Sequence, residues 1–118
     1  MNRPIIILAL LIALIPDFAA AKRMAPPDVE PVIYEGLRII APNNDGRRAY
    51  VQAWDAKTNK MLWEVTVFRN AIDPLLEEDV QHVYIEKMII REGKLIVSAE
   101  SGKTYSLDLK TRDVTRLK

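Results

Sequence analysis

Beyond residue 31 the chain alternates apolar and polar positions with a period of two, and short polar turns interrupt the alternation. Met61, Trp63, Val65 and Val67 fall on one side of the run Met61 to Arg69, against Glu64 and Thr66 on the other. Tyr105, Leu107 and Leu109 oppose Thr104, Ser106 and Asp108 in the same way. Successive side chains of a strand point to opposite faces, so this pattern predicts strands with one buried face. The runs that carry it are Val32 to Tyr34, Leu37 to Ala41, Ala49 to Trp54, Met61 to Arg69, Val83 to Arg91, Lys94 to Ala99, Thr104 to Leu109 and Val114 to Leu117. Asn43-Asn44-Asp45-Gly46, Glu92-Gly93 and Ser101-Gly102 lie between them, residue types that reach positive φ cheaply and close hairpins. The expected class is all-β and antiparallel.

Two places depart from simple alternation. Val83 and Ile85 share a parity that Lys87 then occupies, while Met88 and Ile90 carry the opposite one, which predicts a bulge near Glu86 or Lys87. Pro74 to Gln81 is the one helical candidate, with Asp73 as N-cap, proline at the first helical position and Glu77-Glu78-Asp79 after it. It is expected to connect two groups of strands.

The turn Asp55-Ala56-Lys57-Thr58 returns as Asp108-Leu109-Lys110-Thr111, each copy directly after a strand. Both follow the same order of parts: a Gly-led strand, a polar turn containing Gly, a Tyr-bearing strand, then the Asp-x-Lys-Thr corner. Asp55 and Asp108 therefore read as structural residues. The organisation expected is a single β domain over 32–118, with repeat one at 32–69, a connector at 70–82 and repeat two at 83–118.

Gly36-Leu37-Arg38-Ile39-Ile40 through Tyr50 to Glu64 resembles one blade of the quinoprotein-type (PQQ-like) β-propeller repeat. There a strand ends in an aspartate-led turn, a Lys-Thr-Gly-Lys corner follows, and the next strand carries a tryptophan. Gly93 through Thr111 is similar to a second copy. The corner glycine of that pattern is Asn59 in the first copy and Arg112 in the second; the tryptophan is Trp63 in the first, and Leu117 stands near its place in the second. The resemblance implies antiparallel sheets from two blade-like repeats. A propeller closes with typically four to eight blades. The family's quinone and calcium sit in the funnel of a complete propeller, often beside a vicinal disulfide. Two blades without cysteine give no such site, so no cofactor is expected and the resemblance concerns scaffold and not oxidoreductase activity.

Ahead of the domain, residues 1–21 read as an export signal: Arg3 gives a positive start, Ile5 to Ile15 is unbroken apolar sequence, Pro16 breaks it, and Ala19-Ala20-Ala21 offers small residues for cleavage. The localisation expected is secreted or periplasmic; the alternative is anchoring by an uncleaved N-terminal helix. Residues 22–31 hold Pro26, Pro27 and Pro31 and are expected to form an extended linker. Net charge is +1 with the basic residues scattered, which gives no field for nucleic acid or anionic lipid, and the absence of cysteine rules out a disulfide framework or thiol nucleophile.

Candidate chemistry is sparse. Glu78 and His82 are spaced i, i+4 and are the weak candidates for metal ligation, against the plainer reading of a capped, solvated helix. The serines have no Gly-x-Ser-x-Gly elbow, and a single histidine would have to serve any triad. Trp63 shares parity with Val65 and is expected in the core; Tyr50 and Trp54 share the opposite register with Gln52 and form a candidate contact surface. Two functional classes follow. One is a small non-catalytic binding or scaffold module at the envelope, holding a protein partner at a sheet face or edge, itself monomeric or weakly dimeric. The other is a small envelope enzyme or metal-assisted hydrolase using Glu78 and His82.

Overall fold

The computed structural model describes residues 25–118; the expected export signal and residues 22–24 of the expected linker lie outside the described residues. Among the described residues eight strands form: β1 Val32–Tyr34, β2 Leu37–Ile40, β3 Arg48–Asp55, β4 Met61–Arg69, β5 Ile85–Arg91, β6 Lys94–Ala99, β7 Thr104–Asp108 and β8 Val114–Arg116. They make two four-stranded sheets, β1-β2-β3-β4 and β5-β6-β7-β8, each an antiparallel meander. The fold is all-β, as the alternation predicts, and the turns explain it. Glu35-Gly36 and Glu92-Gly93 occupy positive φ at matching places, between the first two strands of each sheet, where the backbone must twist with the strands it joins.

Hydrogen-bond register shows how closely the repeats agree. Leu37 pairs with Asp55, Arg38 with Trp54, Ile39 with Ala53 and Ile40 with Gln52. Lys94 pairs with Asp108, Leu95 with Leu107, Ile96 with Ser106 and Val97 with Tyr105. Each corner aspartate takes backbone N–H donors from its turn: Asp55 Oδ1 from Lys57 at 2.8 Å and Thr58 at 2.9 Å, Asp108 Oδ1 from Lys110 at 2.8 Å and Thr111 at 3.0 Å. Those bonds stabilise the ionised form and hold both carboxyls below the usual aspartate range. Asn59 (φ 58) and Arg112 (φ 65) both adopt the left-handed conformation that closes the corner.

The core lies between the sheets. Ile39, Val51 and Ala53 of the first meet Ile85, Leu95, Val97 and Leu107 of the second, all fully buried. Phe68 stacks on Tyr105 with ring centroids 5.1 Å apart. The bulge falls where the alternation slips, between Ile85 and Lys87, and returns both Ile85 and Met88 to the core.

Three expectations need correction. One of two bulges in the β3–β4 ladder, that between Ala53 and Trp54, lets Met61 pair with Trp54 and Trp63 with Ala53, leaving Leu62 as the extra residue. Met61 therefore leaves the core side and is 48% exposed. Trp63 does pack against the core but only half-buried, with the Arg112 guanidinium 5.6 Å from its ring centre. The register also puts Thr115, opposite Ser106, at the place that Trp63 holds opposite Ala53, so Leu117 is not its counterpart.

The third correction is the connector. Pro74 to Gln81 forms no α-helix; a turn at Pro74-Leu75 leads to a single 3-10 turn, Asp79–Gln81. Gln81 explains this. Its amide accepts from Asp73 N–H (2.7 Å) and donates to the carbonyls of Asp73 (3.0 Å) and Glu77 (2.9 Å), occupying groups a helix would need.

Candidate functional site

Two regions contain the residues singled out from the sequence. The first is the outer face of the first sheet. Register places Ile33, Arg38, Trp54 and Met61 in one row across all four strands. Ile40, Gln52 and Glu64 form the next row, and Tyr50 with Thr66 the one after. A continuous set of polar contacts fixes these side chains. Arg38 donates to Asn59 Oδ1 at 2.7 Å and its guanidinium lies 5.9 Å from the Trp54 ring centre. Trp54 Nε1 donates to Gln52 Oε1 at 3.1 Å, and Gln52 Nε2 to Glu64 Oε1 at 3.0 Å. Arg48 bonds Glu64 at 3.1 Å and Thr66 at 2.8 Å, with its guanidinium 4.1 Å from the Tyr50 ring centre. Tyr50 donates its hydroxyl to Asn44. Donation from Gln52 first and Arg48 second holds the Glu64 carboxyl below the usual glutamate range.

The two candidate contact residues thus share a face but differ in access. Tyr50 is only 7% exposed and supports Arg48 from beneath; Trp54 is half-buried, with its indole N–H already satisfied. Arg38, Gln52 and Glu64 were missed by the sequence reading. Only the parity of Gln52 with Tyr50 and Trp54 pointed there, since pairing with Glu64 across the hairpin depends on the bulge.

The second region is the base of the connector. Glu78 and His82 do meet, with Nε2 of His82 2.9 Å from Glu78 Oε2. Both oxygens of Glu78 are engaged, however: Arg47 donates through Nε to Oε2 at 2.9 Å and through Nη2 to Oε1. This fork holds the carboxyl at about 2, Arg47 contributing more than His82. The other ring nitrogen of His82 lies 3.4 Å from the Tyr84 hydroxyl, and a Cβ on Gly46 would collide with the imidazole, so Gly46 is required by close approach. No group of three or more His, Cys, Asp or Glu side chains suited to a metal occurs among the described residues. A cation at Glu78 would have to displace Arg47. The chemistry of this cluster is that of a latch between the β2–β3 loop and the connector.

Two asparagines complete the joint. Buried Asn43 (φ 50) donates to the carbonyls of Ile85 (2.8 Å) and Pro27 (3.0 Å) and accepts from Ile85 N–H (3.2 Å). The segment ahead of β1 is thus tied down at Pro27, and Val29 packs on the core. Asn70 donates to the carbonyls of Gly46 (2.7 Å) and Val83 (3.0 Å). Neither residue was distinguishable in the sequence from an ordinary turn asparagine.

A scan against protein-family models finds no match to this chain, and a search of curated proteins finds none either.

Proposed function

We propose that this chain is an exported, non-catalytic binding module built from two quinoprotein-type blade repeats, which holds a protein partner against the outer face of its first sheet. The observation that carries the reading is the row centred on Trp54. A half-buried indole lies beside the Arg38 guanidinium, hydrogen-bonded to Gln52, in a row whose ends, Ile33 and Met61, are 65% and 48% exposed. Tryptophan and arginine dominate protein interfaces because one large side chain desolvates much area, and side chains already fixed lose little entropy on binding. The repeated Asp-x-Lys-Thr corner supports the blade reading, and the apolar run ahead of Ala19-Ala20-Ala21 supports export.

The test places a photoreactive phenylalanine analogue at position 54 of the full chain, expressed in its own cells, with the same analogue at position 87 of β5 as control. A discrete cross-linked protein in the envelope fraction, formed from position 54 and not from 87, is expected. No adduct from position 54, or the same adduct from both positions, refutes the assignment.

A further inference from the structure

The equal registers of the two repeats make their faces comparable residue by residue. Leu37 is the counterpart of Lys94, Arg38 of Leu95, Ile39 of Ile96 and Gln52 of Tyr105. Across the joint, the first sheet contributes Leu37 and Ile39, whose counterparts Lys94 and Ile96 lie on the outer face of the second. The second sheet contributes Leu95 and Tyr105, whose counterparts Arg38 and Gln52 lie on the outer face of the first. The sheets are therefore packed head to tail, each using a different face. A contact of this kind leaves one face of each sheet unused; the outer face of one molecule has the same relation to the opposite outer face of the next as the two sheets have within the chain.

What prevents such propagation is visible at the same positions. The outer face of the first sheet has Arg38 where the joint has Leu95, and Gln52 where it has Tyr105. The outer face of the second has Lys94 for Leu37 and Thr115 for Trp63. Both aromatic contacts at the joint are lost by these exchanges: the Phe68–Tyr105 stack has no ring at Gln52, and the Arg112–Trp63 pair is replaced by Asn59 and Thr115. Each face also gains a cation, which opposes the meeting of the two and costs desolvation. Repeat arrays end in units whose outer face is polar.

We infer that Arg38 and Gln52 on one side, and Lys94 and Thr115 on the other, are end caps that close this two-sheet unit against stacking with further copies of itself. The side chains that refuse a second copy leave Trp54 in place for an unlike partner. Two variants test this, Arg38→Leu with Gln52→Tyr and Lys94→Leu with Thr115→Trp, studied by sedimentation separately and mixed. The native protein and each variant alone should sediment as monomers, while the mixture forms a one-to-one complex at least about tenfold tighter than any self-association, some 1.4 kcal/mol. Native stacking into trimers or tetramers, self-association of one variant as tight as that of the mixture, or a mixture that stays monomeric with both variants folded would each overturn it. Should a double variant fail to melt cooperatively, Arg38→Leu and Lys94→Leu as single surface changes carry the same comparison, and a mixture no tighter than its parts refutes the caps.

Discussion

Asn43 joins the first sheet to the second through a single side-chain amide. Its amide satisfies both backbone groups of Ile85, a fully buried residue at the start of the second sheet, and also holds the carbonyl of Pro27. Asn43→Ala leaves the N–H and C=O of Ile85 without partners in the interior, and an orphaned buried polar group costs about 1–3 kcal/mol. Asn43→Asp keeps the acceptor but loses both donated bonds and buries a charge, so it should do no better. Chemical denaturation checks this: a midpoint unchanged in Asn43→Ala would mean that water replaces the amide. The sequence offered Asn43 only as one residue of a polar turn, because an asparagine that bridges 42 positions along the chain leaves no local pattern. Asp55 and Asp108 were legible for the opposite reason. Their bonds reach two and three residues on, and the whole motif lies in four letters.

At the scale of elements, strands were legible and the connector was not. Alternation reports which side of a strand meets the core, and it located even the bulge at Ile85/Lys87. It failed at Met61, where the extra residue Leu62 shifts the pairing, and with it went the row that joins Met61 to Trp54. The capping and proline signals of the connector favour a helix, but the amide of Gln81 competes for the same backbone groups from a distance that no local pattern reports. The connector's latch makes a pH prediction. The Glu78 carboxyl binds its proton at about 2 in the folded protein, against a usual 4.5, so the latch contributes fully above pH 4.5 and is lost as pH falls through about 2. The group is solvent-facing and the contribution is small, but it is local. Proteolysis within residues 71–82 should accelerate across that acid window in the native protein, read with a protease active at low pH. Glu78→Gln should be cleaved rapidly from neutral pH downward, with no step. Arg47→Ala should open the connector more than His82→Ala, as Arg47 supplies the larger part of the shift. Equal protection in native and Glu78→Gln proteins would exclude the latch.

For the whole molecule, one core serves both sheets, so neither is expected to survive alone. Leu107 is fully buried in the second sheet and belongs to the same cluster as Ile39 and Val51 of the first. Leu107→Ala should cost about 2–5 kcal/mol, a large part of the 5–15 kcal/mol typical of a domain. Hydrogen exchange is the decisive measurement: amides of β2, β3, β6 and β7 should lose protection together, and independent exchange of the two sheets would show two folding units. The bond from Asn70 to the Val83 carbonyl has a different kind of consequence. It clasps the two ends of the connector, so the path between the sheets is short and the residues between 71 and 82 hang from it as a side loop. Doubling the length of a flexible loop costs only about 0.6 kcal/mol when its ends are already held. Leu75, 90% exposed at the tip, is thus the point where this chain admits extra sequence, an epitope or an entire second protein, without the two sheets registering the insertion.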